Sequence, residues 1–285
     1  MMNAKLLLSS AAVILLSASL SQAAKENVSD EVVAAQRAAL AESTKGAGFG
    51  PQSPRDIDSV IGKNARAFSE APDYAQMNLC NIHFHENAEH KGGEFTKYAG
   101  NGDGKGAGTG FVYNGDLTDA ELAPYDGKVG VSKYGDLAPG DTIELHYVHT
   151  TTKIKPGPTL GACLSKSIVN PQLRVEARVF VIVNDDNAHD FKELTKVANV
   201  NGFYQAVNIP NETGSPVEYD GSTTGPSYNE VGSPLQVSWS VRPKVLKVSI
   251  SSLDAWLKDN IFDETGAHGV RNLVINPDLL SQIDG

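Results

Sequence analysis

The sequence predicts a mainly β fold with short helices, one domain built around a central, largely antiparallel twisted sheet. Three observations carry that expectation. Gly and Pro recur about every ten residues beyond Gly46, short alternating apolar and polar runs lie between them, and few segments have helical character. The 285 residues are 40% hydrophobic, 20% charged and 7% aromatic, which excludes disorder, collagen and a disulfide-dense scaffold.

The chain begins with Lys5, an apolar run from Leu6 to Leu16 and a small-residue tail from Ser17 to Ala24. This is the pattern of a secretory signal cleaved after Ala23. The run is shorter than the roughly 20 apolar residues a membrane anchor needs, and no later segment is apolar enough to span a membrane. Residues 1–23 are read as a signal peptide and 24–285 as the exported domain, periplasmic or secreted. Lys+Arg number 24 against 34 Asp+Glu, a net charge of −10, and losing Lys5 with the signal leaves −11. So acidic a field disfavours nucleic acid and anionic lipid as partners, since both are polyanions. Small neutral substrates remain compatible with it. No feature specifies an oligomeric state. In an oxidising compartment Cys80 and Cys163 are expected to form one bridge closing a long loop, with two buried free thiols as the alternative.

After the signal, Ser29 and Asp30 can cap a helix running to about Glu42, with Val32, Val33, Ala34, Ala38 and Leu40 as its apolar component and Gly46 and Gly48 as its stop. Strands are expected at Asn78–His85, Thr142–His149, Leu173–Val183, Leu235–Val241 and Val245–Ile250, and a second helix at Ser252–Ile261, capped by Ser251 or Ser252. Between Gly100 and Gly110 lie six glycines. The stretch lacks the Lys-Ser/Thr of a phosphate loop and the dinucleotide fingerprint. Too few carboxylates surround Asp103 for a calcium loop, so a mobile surface loop is expected.

Five of the seven histidines fall between His83 and His149. In Asn78–His85, alternation puts Asn81, His83 and His85 on one face and Cys80, Ile82 and Phe84 on the other. In Thr142–His149 it puts Glu144, His146 and Val148 together, with His149 opposite. If the two strands are neighbours, His83, His85 and His146 converge as three nitrogen ligands with an open fourth position, the catalytic form of a zinc site. Glu144 stands where a carboxylate can hold the second ring nitrogen of His146 and fix its tautomer.

These residues resemble a known family. His83-Phe84-His85, then Glu89-His90, then Glu144-Leu145-His146-Tyr147-Val148-His149 are similar to the zinc motifs of α-type carbonic anhydrases. Gln52-Ser53-Pro54-Arg55-Asp56-Ile57 and Tyr219-Asp220-Gly221-Ser222-Thr223-Thr224-Gly225-Pro226, with Glu230 and Trp239 behind, resemble two further blocks of that family in the same order. The segment before His83 is much shorter than in α enzymes and that between His85 and His146 much longer. With Cys-Asn-Ile-His-Phe-His, this resembles the δ-type carbonic anhydrases and their bacterial relatives, the α class being a structural cousin.

The resemblance implies a carbonic-anhydrase-like fold and Zn2+ as cofactor on His83, His85 and His146. It implies reversible hydration of CO2 to bicarbonate and a proton, by attack of zinc-bound hydroxide. Thr224 would be the gatekeeper accepting a hydrogen bond from that hydroxide, and Glu89 the acceptor for the Thr224 hydroxyl. Asn81 and Glu144 would hold ligand rings, and Val148 and Trp239 would form the CO2 pocket together with Thr223, which stands where the family usually has leucine. The family's proton-shuttling histidine falls in the shortened segment, so no residue inherits that role. His90 and His149 are the nearest in sequence, and His189 and His268, in polar loops, are read as solvated. The alternatives are a catalytically silent relative or an exported zinc-binding protein, and the same imidazoles also accept Co2+.

Overall fold

A computed structural model describes residues 27–132, 135–223 and 229–283. The signal read over residues 1–23 and the threonine at position 224 lie outside them. Helix α1 (Asp30–Thr44) has Ser29 at its N-cap, without a side-chain capping bond, and buries Val33, Gln36 and Leu40. It stops before Gly46, whose φ of +65° suits a residue with no Cβ.

The strands run β1 (Asn78–Glu86), β2 (Lys97–Tyr98), β3 (Phe111–Val112), β4 (Val129–Ser132), β5 (Gly135–Leu137), β6 (Thr142–Thr150), β7 (Leu173–Val183), β8 (Val197–Val200), β9 (Phe203–Ala206), β10 (Val217–Ser222) and β11 (Gln236–Ser249). Short helix α2 (Phe191–Leu194) precedes β8, and α3 (Ile250–Lys258) follows β11. Five strands form the central sheet in the order β1-β6-β7-β11-β10. This sheet is mixed, which corrects the expectation of a largely antiparallel one. β11 lies parallel to β7, from Val237 opposite Leu173 to Ser249 opposite Val183, while the other three pairs are antiparallel. A parallel pair needs a crossover, and the chain from Asn184 to Leu235 provides it. Leu235–Val241 and Val245–Ile250, expected as two strands, are one: β11 continues through a register shift between Val241 and Val245, around Pro243, which has no ladder N–H to donate.

The expected second helix begins earlier than Ser252, with Ser249 as N-cap. Ser252 sits inside the first turn, where its hydroxyl donates to the Ser249 carbonyl and accepts from the Phe191 N–H. The glycine stretch is not a loose surface loop. Gly102, Gly106, Ala107, Thr109 and Gly110 are buried, and backbone bonds join Gly102 to Val28 and Gly106 to Val270. The Asp103 carboxylate accepts from the backbone of Lys105 and Ala107, so it orders the turn. Among the described residues no helix is long and apolar enough to cross a membrane.

The sheet is buried on both faces. One face packs Leu79, Ile82, Phe84, Leu145 and Phe180 against Phe191 and Trp256. The other gathers Val148, Val175, Ala177, Tyr219 and Trp239, the side of the candidate site. Cys80 belongs to the second cluster, not with Ile82 and Phe84 as strict alternation predicts. A bulge between Leu79 and Asn81 inserts it as an extra residue and turns its side chain over. There it forms the expected disulfide with Cys163.

His149 points away from the site, fully buried, with Nδ1 donating to the Tyr147 carbonyl at 3.1 Å. Burial pushes its pKa from 6.5 down to about 4. The unfolded chain therefore binds a proton between these values that the folded chain refuses. Stability should be unaffected above pH 6.5 and fall by about 3 kcal/mol as pH drops toward 4, then level off. Denaturation of His149→Leu beside the parent at pH 7 and 4.5 checks this: the variant should show the shallower decline, and parallel declines would sink the assignment.

Candidate metal centre

Antiparallel pairing of β1 with β6 sets His83 opposite His146 and His85 opposite Glu144. Because side chains alternate along each strand, the three histidines share the face predicted for them. Their ring centroids are 5.2 Å (His83 to His85), 5.2 Å (His83 to His146) and 4.7 Å (His85 to His146) apart. One nitrogen from each ring lies within 4.8 Å of the other two.

Each remaining nitrogen faces an oxygen, and these contacts assign the tautomers. His83 Nδ1 donates to Asn81 Oδ1 at 2.6 Å, and Asn81 Nδ2 in turn donates to the Gly157 carbonyl at 3.1 Å. His85 Nδ1 donates to the Gly269 carbonyl at 2.8 Å. His146 Nε2 donates to Glu144 Oε1 at 3.1 Å. Two Nε2 and one Nδ1 are thereby left as converging lone pairs. Burial holds the pKa of all three rings below the ordinary histidine value, His85 at about 4. Three neutral imidazoles with anchored backs fit a borderline divalent cation such as zinc.

Glu144 organises the back of the site. Its carboxylate also accepts from Glu89 N (2.6 Å), His90 N (3.0 Å) and His90 Nδ1 (2.7 Å). Burial raises its pKa, but His90 and His146 together outweigh burial and hold it well below the carboxylate range. His90 Nε2 meets the Tyr219 hydroxyl at 2.6 Å, and Tyr219 meets Ser53 Oγ at 2.9 Å. Ser222 donates to Gln52 Oε1 at 2.9 Å, so the separate stretches at 52–57 and 219–223 are neighbours in space. A second cluster of possible ligands, Glu89, His90 and His146, is no separate site, because His90 and His146 already bond to Glu144.

In front of the three histidines opens a cavity of about 600 Å³. Glu89, Val148, Thr223 and Trp239 line it, joined by Val175 and Leu160. Burial, the largest influence on Glu89, raises its pKa. Among the described residues nothing donates to its carboxylate. Asn81 reaches the cavity, whereas Glu144 stays behind His146, and Thr224 lies outside the described residues.

Neither His90 nor His149 has access to solvent. His189 is exposed and away from the cavity, as read. His268 is solvated, as read, but it is no bystander remote from the site: it lines the cavity. Residues beyond α3 return to the edge of β1, with His268 N donating to the Phe84 carbonyl and Glu86 N to the His268 carbonyl. The His268 ring lies 5.1 Å from that of His83, is 47% exposed and bonds Glu264 Oε2 at 2.7 Å. Gly269, missed with it, supplies the carbonyl that orients His85. The small residues of Gly266-Ala267-His268-Gly269 permit this close approach, but such a signal is not specific.

The family model of the delta carbonic anhydrases matches residues 74–252. No curated protein matches the sequence. Among solved structures, a hyperthermostable carbonic anhydrase identified from an active hydrothermal vent chimney is 15% identical, with 84% of this chain and 89% of that one covered and a TM-score of 0.31. For the Photobacterium profundum alpha-carbonic anhydrase the values are 17%, 81%, 92% and 0.26. For a halotolerant carbonic anhydrase from Dunaliella salina they are 13%, 81%, 87% and 0.32.

Proposed function

The chain belongs to the delta carbonic anhydrases, lyases that hydrate CO2, and on that premise we propose that its reaction is zinc-dependent and centred on His83, His85 and His146. The observation that carries this reading is the three converging ring nitrogens, each backed by an anchored second nitrogen. Bound zinc would supply Lewis acidity, lowering the pKa of its water to about 7. The chain's own residues then decide geometry. Asn81, Gly269 and Glu144 fix the ring planes. Val148, Trp239 and Val175 offer CO2 an apolar wall at the sheet face. Thr223 shapes the same pocket.

In this reading Thr224 would donate a hydrogen bond from its hydroxyl to Glu89 and keep its oxygen as the acceptor that orients the attacking group. The Glu89 carboxylate suits that part, since it lies at the cavity and has acceptor capacity to spare. A neutral substrate also fits the acidic chain, for which electrostatic attraction would gain nothing. We further assign the mature protein, residues 24–285, to an exported location. The leader pattern and the Cys80–Cys163 disulfide support it.

Stopped-flow CO2 hydration by the purified protein, with metal content determined on the same sample, tests the reading. Activity should track bound zinc, vanish on chelation and return with zinc. Thr224→Ala should lose activity, on the order of 100-fold as for other removed transition-state hydrogen bonds, while retaining zinc. A folded, zinc-loaded protein without activity would reject the proposal, and an unimpaired Thr224→Ala would leave a zinc enzyme that has no use for that threonine.

A further inference from the structure

We propose that Gln36 and Asn272 are positioning residues that tie the N-terminal helix to the segment carrying Thr224, an inference that rests on the role proposed above for Thr224. Both lie outside residues 74–252, the part matched by the family model. Gln36, on α1, is 8% exposed, and Asn272, beyond α3, is 7% exposed. Buried amides are retained where their hydrogen bonds are satisfied, and these bonds join four segments distant in sequence.

Asn272 Nδ2 donates to Gln36 Oε1 at 2.7 Å, and Gln36 Nε2 donates to the Gly104 carbonyl at 2.7 Å and to Glu230 Oε1 at 3.3 Å. Asn272 N donates to Asn229 Oδ1 at 2.8 Å, and Asn229 Nδ2 reaches the same Gly104 carbonyl at 3.3 Å. The downstream flank of the Thr224 segment is thus held by α1, the glycine stretch and the C-terminal chain at once. The upstream flank is held by the adjacent Arg271, which is 1% exposed and donates to the carbonyls of Ser53 (3.3 Å), Thr223 (3.4 Å) and Val231 (3.1 Å).

Two residues earlier, the Gly269 carbonyl receives His85 Nδ1. Residues 269–272 therefore form one short strut between a metal-ligand candidate and both flanks of the threonine segment. Gln36 fixes the far end of that strut to α1. The glycine stretch is tied into the same network: the Gly104 carbonyl takes two amide donors, and at Gly104, with φ +73°, a Cβ would come within 3.3 Å of Val28 Cγ1. The N-terminal helix thereby acts on the reaction centre without touching it.

The test is Gln36→Leu in the exported protein, read by hydrogen exchange and by CO2 hydration. Exchange should rise in peptides covering 219–231 and stay unchanged in β1 and β6. With full zinc content, kcat/KM should fall about 10- to 100-fold, as expected for a small misplacement of a reacting group. In a Thr224→Ala background the same substitution should cost almost nothing further, because both changes act through one group. Unchanged activity, a uniform rise in exchange, or an equal loss in both backgrounds would overturn the proposal. Full activity in Thr224→Ala alone would sink the reading of Thr224 and leave the exchange result to stand by itself. Should Gln36→Leu fail to fold, Asn272→Asp gives the same readouts, since it keeps the backbone bond to Asn229 and loses the donor to Gln36.

Discussion

His146→Ala is expected to abolish CO2 hydration and to leave the protein unable to retain zinc through dialysis. Two imidazoles would remain, both on β1, and the cation would lose its tie to β6. The neighbouring substitution Glu144→Gln should be graded where His146→Ala is absolute. Glu144 accepts four hydrogen bonds, from His146 Nε2, His90 Nδ1 and the backbone N–H groups of Glu89 and His90. An amide of the same size presents an NH2 to some of those donors and supports the His146 ring less firmly. Loss of such a partner weakens metal affinity by about 10- to 100-fold. Each donor left buried without a partner destabilises the fold by about 1–3 kcal/mol. Competition with a chelator and chemical denaturation read the two effects separately. Wild-type zinc affinity in Glu144→Gln would mean that His146 does not need its carboxylate, and the ligand geometry would have to be reassigned.

The contrast between these residues and His268 shows what can be read from sequence. His83, His85, His146, Asn81 and Glu144 were legible because alternation along a strand is a local rule, and only the adjacency of two strands had to be assumed. His268 and Gly269 were not, because their place depends on the chain after α3 returning to the edge of β1. The parallel pairing of β7 and β11 was hidden for the same reason. Cys80 shows a local failure: a one-residue bulge reverses every inference from alternation at that position. Gln36 and Asn272 carry no motif. Their roles come from burial and from bonds spanning most of the chain, which composition and periodicity do not encode.

Breaking the Cys80–Cys163 disulfide should lower stability by about 4–5 kcal/mol, the loop-closure contribution for a bridge across 83 residues. The closed loop contains most of β1, all of β6 and all three ligand candidates, so the unfolded state constrained by the bridge is that of the site itself. The effect should also reach the metal. Cys163 ends the short helical turn Leu160–Cys163, whose Leu160 walls the cavity, and Gly157 just before it accepts from Asn81, which orients His83. Without the bridge, this segment stays attached through bonds such as those from Asn81 to Gly157 and from Thr150 to the Cys163 carbonyl. Cys80→Ser with Cys163→Ser should therefore lower the midpoint of thermal unfolding and release zinc faster than the parent, with the Asn81 amide as the link. If the double serine variant lost stability yet released zinc at the parental rate, the bridge would act on the unfolded chain alone. If it lost neither, the loop would already be held closed by the packing of β1 against β6.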